Sequence, residues 1–134
     1  MAKRKTRSAR KNDYAGFFAK AREFMDTMEQ ALAASQWDSV GLQAVHTVIS
    51  ASDAVAVYYG GVRSAEPDHR AVVGLLEDIL GSDIAAASRH VSNVIAKKNT
   101  VEYEQRRLTA KEARDMAEHA RRFVEWAEGM LPAR

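Results

Sequence analysis

From Tyr14 onward, apolar positions recur every three or four residues: Tyr14, Phe17, Phe18, Ala21, Phe24, Met25, Met28, Ala31 and Leu32. That spacing returns to one face of a 3.6-residue helix, and Asn12 or Asp13 stands ahead of it as a cap. A second segment opens on Ser35-Gln36-Trp37-Asp38, which reads as a capping box. Its stripe is Trp37, Val40, Ala44, Val45, Val48 and Ile49, followed by a dense Ala/Val/Tyr run to Tyr59. Gly60-Gly61 can end it, because glycine accepts the left-handed geometry at a helix C-terminus. Pro67 suits the first turn of a third helix, whose buried face is Val72, Val73, Leu75, Leu76, Ile79 and Leu80. Gly81 stops that helix and Ser82 can cap a fourth, carrying Ile84, Ala87, Val91, Val94 and Ile95. A polar connection is expected from Thr100 to Leu108. A second capping box, Thr109 with Glu112, then starts a last helix with Ala113, Met116, Ala117, Ala120, Phe123, Val124 and Ala127 on one face. No strand-like alternation lasts more than a few residues. The pattern predicts an all-α fold, a four- to five-helix up-and-down bundle, with one helical domain over residues 12–134.

Charge adds an asymmetry to this picture. Residues 1–11 carry Lys3, Arg4, Lys5, Arg7, Arg10 and Lys11 and no acid, while the remaining body is net acidic within an overall charge of +2. The body is therefore not a basic nucleic-acid-binding domain on charge alone. The segment 1–11 has no apolar period and is expected to be a flexible basic tail, either solvated or an electrostatic arm for nucleic-acid phosphates. The uncharged, mostly apolar run Ala54 to Val62 is far short of the ~18–20 residues of a membrane span, so no membrane partner is expected. No apolar stretch follows the basic start, so no secretory leader is expected either. The absence of cysteine excludes disulfides and thiolate metal sites and fits a cytoplasmic location. The all-round apolar character of Ala51 to Val62 suggests a dimer surface.

Few residues are candidates for chemistry. The four histidines, His46, His69, His90 and His119, form no metal-ligating pair at helical spacing, so no metal site and no cofactor is expected. His46, beside the apolar stripe, reads as partly buried; His90 and His119 read as helix-surface residues. There is no phosphate-binding glycine loop, nucleophile elbow or cysteine nucleophile. Two Arg…His pairs remain, Arg63…His69 and Arg114…His119. The second lies within one helix, roughly 140° apart around the axis. The first spans a predicted helix–helix connection: Arg63 closes one helix and His69 opens the next, near an N-terminus that favours anions. An always-charged guanidinium and an imidazole that titrates near neutrality suit cleavage of an RNA phosphodiester by its own 2′-OH, with Ser64 beside them. The bland alternative is that Arg63 pairs with Glu66 or Asp68 in a surface turn.

The sequence resembles the HEPN family (higher eukaryotes and prokaryotes nucleotide-binding domains) from about Tyr14 to Leu131. The carriers are "FFAKAREFMDTMEQALAASQWDSVGLQAVHTVISASDAVAVYYGGVRSAEPDH" and "KKNTVEYEQRRLTAKEARDMAEHARRFVEWAEGML". The resemblance implies a homodimeric helical bundle. It also implies metal-independent endoribonuclease activity, toxin- or defence-related, in a cleft between protomers. Arg63 would hold the scissile phosphate, His69 would act as general acid/base, and Ser64 would position the phosphate or the attacking hydroxyl. Ser64 stands where active members more often carry Asn, Asp or His. Ala71 stands where some toxin members carry a Tyr modified by a partner nucleotidyltransferase. The resemblance equally covers non-catalytic members that bind a nucleotide, RNA or a protein partner such as an antitoxin.

Overall fold

The computed structural model describes residues 4–132; Lys3 of the basic segment lies outside them. In chain order the elements are β1 (Thr6–Ser8), α1 (Tyr14–Ala33), α2 (Trp37–Gly60), β2 (Val62–Ser64), α3 (Ala71–Leu80), α4 (Ala85–Ile95), α5 (Lys98–Tyr103) and α6 (Ala110–Met130). The fold is thus mainly helical, with one small antiparallel ladder joining β1 to β2.

The long helices run up and down, and individual contacts show the directions. Tyr14 meets Tyr58 and Phe24 meets His46, so α1 and α2 are antiparallel. Arg22 pairs with Glu128 and Arg121 with Glu29, so α1 and α6 are antiparallel too. Lys97, just beyond α4, reaches Glu112, and His90 reaches His119, which makes α4 antiparallel to α6. The helix α2 sits at the centre. Ala51, Ser52 and Ala54 through Val57 are all fully buried. Burial within one chain accounts for the apolar character of Ala51 to Val57, while Tyr59 is exposed. By length and mean hydropathy α2 would pass for a membrane span, since Asp53 alone interrupts its charge-free stretch, but two-thirds of its most apolar window is buried against neighbouring helices.

Several local expectations need correction. The Thr109–Glu112 box forms as expected: Glu112 N donates to Thr109 Oγ1 at 3.1 Å, and Thr109 N donates to Glu112 Oε1 at 3.0 Å. Ser35, however, does not cap α2. It takes a positive φ of 59° in the loop, and Gln36 precedes the helix with no side-chain cap. Asp38, read as the other half of that box, instead accepts from Leu108 N and from Arg107 Nε, both at 2.8 Å. It pins the start of α2 to the segment leading into α6, and these bonds hold its carboxyl below the usual range. Pro67 lies in a loop and α3 begins only at Ala71. A 3-10 turn over Gly81–Ile84 precedes α4, and half of the expected polar connection is the helix α5. Gly61, with a φ of 65°, ends α2 and donates to Val57 O at 2.9 Å.

The largest departure lies in residues 4–11 of the basic segment, expected to be flexible. Its residues 6–8 pair with β2 in the register Thr6–Ser64, Arg7–Arg63 and Ser8–Val62. Ala9 N donates to Gly61 O, Ala65 N to Lys5 O and Lys5 N to Glu66 Oε1, extending the ladder at both ends. Arg4 is tied to Asp78 at 2.8 Å, and Lys11 lies over the Tyr58 ring. Backbone hydrogen bonds to a distant partner hold this segment, and they require no apolar period in its side chains.

Candidate functional site

Arg63 does not close a helix; it is the central residue of β2. Its position is set by Gly61, which turns the chain out of α2 and back along β1. Directly opposite residues of an antiparallel ladder project to the same face, so the register places Arg7 beside Arg63. Both line a pocket of about 450 Å³ together with Lys20, Phe17, Ser8 and Asp13. The Arg63 guanidinium stacks over Phe17, 5.3 Å from the ring centre. Lys20 approaches the same ring at 6.0 Å. Arg63 pairs with neither Glu66 nor Asp68. Its nearest acid is Asp53 of α2, with Nη1 to Oδ2 at 3.8 Å.

The Asp53 side chain is only 13 % exposed. Burial pushes its carboxyl up to about 6, against the opposing pull of Arg63 and Lys20. Arg7, Lys20 and Arg63 therefore share the pocket lining with Asp13, and Arg63 and Lys20 also act on the buried Asp53 carboxylate. Among the described residues Arg7 and Lys20 have no ion-pair partner. The site is short of negative charge.

His69 does not share this pocket. It lies in the loop before α3 and lines a separate cleft with Asp68, Arg70, Lys98 and Asn99. Burial, reinforced by the nearby Lys98, lowers its pKa, so its imidazole is neutral at pH 7 and able to accept a proton. Asp68 is engaged by Arg70 at 2.8 Å, and the Arg70 side-chain bond draws its carboxyl down to about 2. Ser64 points back into its own turn, where its Oγ accepts from Glu66 N at 3.3 Å. Within one chain, then, Arg63 and His69 occupy different clefts, because β2 and the following loop separate what the sequence suggested was a single tight turn. No protein-family model and no curated protein matches this chain. Its chemistry must be read from these residues themselves.

Among the described residues of the basic segment, Arg7 is the cation that lines the pocket; Arg4 and Lys11 have other partners, and Lys5 contributes its backbone to the ladder. Two features escaped the sequence pattern. Asp53 left one trace, as the lone Asp, Glu, Lys or Arg between Ser39 and Val62. The other is a histidine pair. His90 is not a surface residue but 9 % exposed, and its Nδ1 lies 2.9 Å from Nδ1 of His119. His46 errs the other way, exposed with its ring tilted 5.7 Å from Phe24. Among the described residues no three-member group of metal-ligating side chains forms.

The histidine pair makes the α4–α6 contact acid-labile. One ring donates its Nδ1 proton to the other, and a second proton removes the acceptor. Burial first, then His119, depresses the His90 pKa. A depressed pKa contributes stability that is whole above the unfolded value of ~6.5 and is lost as the pH falls through the folded value. Between pH 7.5 and 5 the urea midpoint of the wild type is expected to fall relative to that of His90→Gln, a comparison in which the opposite contribution of Asp53, whose pKa is raised, cancels. A constant difference between the two proteins over that range would show that His90 does not supply the acid lability.

Proposed function

We propose that this chain is a HEPN-like helical module that binds the phosphates of single-stranded RNA or of a nucleotide in the pocket between β1 and α1. The observation that carries the reading is the register Arg7–Arg63. Like charges directly opposite on a ladder are destabilising. Here they are joined by Lys20 at the rim of an open pocket with an aromatic floor, Phe17. Guanidinium forks match phosphate oxygens in pairs, and an aromatic face beside them suits an unpaired base. Fluorescence anisotropy with a labelled single-stranded RNA in low salt tests it. Arg63→Glu, with its fold checked by circular dichroism, is expected to weaken binding by roughly tenfold to a hundredfold, the range for losing a charge-assisted hydrogen bond. Unchanged affinity in that variant would sink the reading.

A second reading is a metal-independent HEPN-type endoribonuclease acting as a homodimer in the cytoplasm. What supports it is His69, half-buried, neutral at pH 7 and next to Lys98. In this reading the His69 cleft of one copy completes the Arg63 pocket of another, and Ser64 has at most a supporting role while it bonds Glu66. A toxin or defence role, with an antitoxin or nucleotidyltransferase-type partner, belongs to this reading. Incubating the same RNA with the protein in EDTA distinguishes the two. Cleavage that leaves 2′,3′-cyclic ends and disappears in His69→Ala supports the enzyme. Intact RNA at saturating protein leaves the binding module.

A further inference from the structure

We propose that Asp53 is an internal counter-anion that competes with ligand phosphate for Arg63, so that anion binding at this pocket is coupled to uptake of one proton by the Asp53 carboxyl. This inference rests on the phosphate-binding reading and assigns a regulator to the same site.

The geometry points to competition and not to a fixed ion pair. A direct guanidinium–carboxylate hydrogen bond has a separation of about 2.7–2.9 Å. Arg63 Nη1 and Asp53 Oδ2 stand 3.8 Å apart, and none of the described side-chain hydrogen bonds ends on Asp53. The Arg63 side chain is 37 % exposed and that of Asp53 13 %. Arg63 therefore lies between a buried carboxylate behind it and the open pocket in front. Its stacking on Phe17 leaves the planar fork at the pocket wall.

A buried carboxylate without hydrogen-bond donors is a poorly solvated charge, held ionised chiefly by the cations near it. The charged groups acting on Asp53 are Arg63 from β2 and, more weakly, Lys20 from α1. Arg7 from β1 and Asp13, just before α1, line the same pocket. A phosphate that engages Arg63, Lys20 and Arg7 puts negative charge close to Asp53 and draws away the cations that favour its ionised form. Both effects favour the protonated acid. Because the carboxyl already titrates near 6 in the free protein, a modest further rise brings its protonation into the neutral range. By linkage, what ligand does to the proton, the proton does to the ligand. Protonation removes the competitor and leaves the three cations with an excess of positive charge.

The experiment measures the affinity of a single-stranded oligoribonucleotide without terminal phosphate between pH 6 and 8, since phosphodiesters do not titrate there. Wild-type affinity is expected to rise as the pH falls, by up to about tenfold per unit where one proton is taken up. Asp53→Asn should bind at pH 8 as tightly as the wild type does near pH 6, and its profile should lose that slope. Parallel profiles in the two proteins would overturn the proposal while leaving phosphate binding intact. Weaker binding by Asp53→Asn at every pH would also overturn it, by showing that Asp53 holds Arg63 in place. Absence of binding by both proteins throughout would overturn the phosphate reading and this inference with it. Should the variant fail to fold, wild-type calorimetry in buffers of different ionisation enthalpy decides: proton uptake at pH 7 supports the coupling, and none refutes it.

Discussion

Phe123→Ala is expected to lower the free energy of unfolding by about 3–5 kcal/mol, the range for truncating a fully buried phenylalanine. Phe123 has no exposed surface and is the largest of the fully buried side chains. It lies on α6, where its ring centre is 5.4 Å from that of Trp126. The transfer of its ring to water accounts for part of the loss, and the cavity left between rigid helices for the rest. A domain of this size has about 5–15 kcal/mol in total, so the variant should unfold at a much lower urea concentration. Glu125→Ala on the exposed side of the same helix should change stability by no more than about 0.5 kcal/mol. A loss below about 1 kcal/mol for Phe123→Ala would contradict the packing of α6 described here.

The second large effect has the opposite sign. Asp53→Asn is expected to stabilise the fold at pH 8 by about 3 kcal/mol, from the rise of the carboxyl from its ordinary 3.8 to about 6 at about 1.4 kcal/mol per unit. A group whose folded pKa is raised contributes stability that is complete below the unfolded value and is lost as the pH rises through the folded one. Asparagine cannot ionise, so the variant escapes that loss. The gain should therefore be large at pH 8, shrink below pH 6 and vanish near pH 3.8. Urea unfolding of both proteins at pH 8 and pH 4 measures it. An equal difference at both pH values would point to a packing change instead of charge. Such a gain would show that Asp53, beside Arg63 on the side of α2 that faces β2, costs the fold stability, as the proposed role at the pocket requires.

How legible all this was in the sequence depended on the range of the interactions. The helices α1, α2 and α6 were readable because a 3.6-residue period reports burial of a face directly, and the Thr109–Glu112 cap because its partners are three residues apart. The cap at Ser35 misled because Asp38 had a stronger distant use, accepting from Leu108 and Arg107. The ladder between β1 and β2 left no sign in side-chain periodicity, since its ties are backbone hydrogen bonds between distant segments. Missing it turned Arg7 into part of a loose arm and Arg63 into a helix end. The same cause hid the separation of Arg63 from His69. The His90–His119 pair needed the crossing of α4 on α6, which no local spacing reveals.

The ladder also orders events in time. Its two strands are distant in sequence, and pairing them early would be entropically costly. Once α1 and α2 have zipped into a hairpin, with Tyr14 against Tyr58 at its open end, the same strands are already neighbours and pairing needs little further restriction of the chain. The pocket between β1 and α1 then forms only after that hairpin. Held by a three-residue exposed strand and a few ties at its two ends, it is expected to open ahead of any unfolding of the helices beneath it.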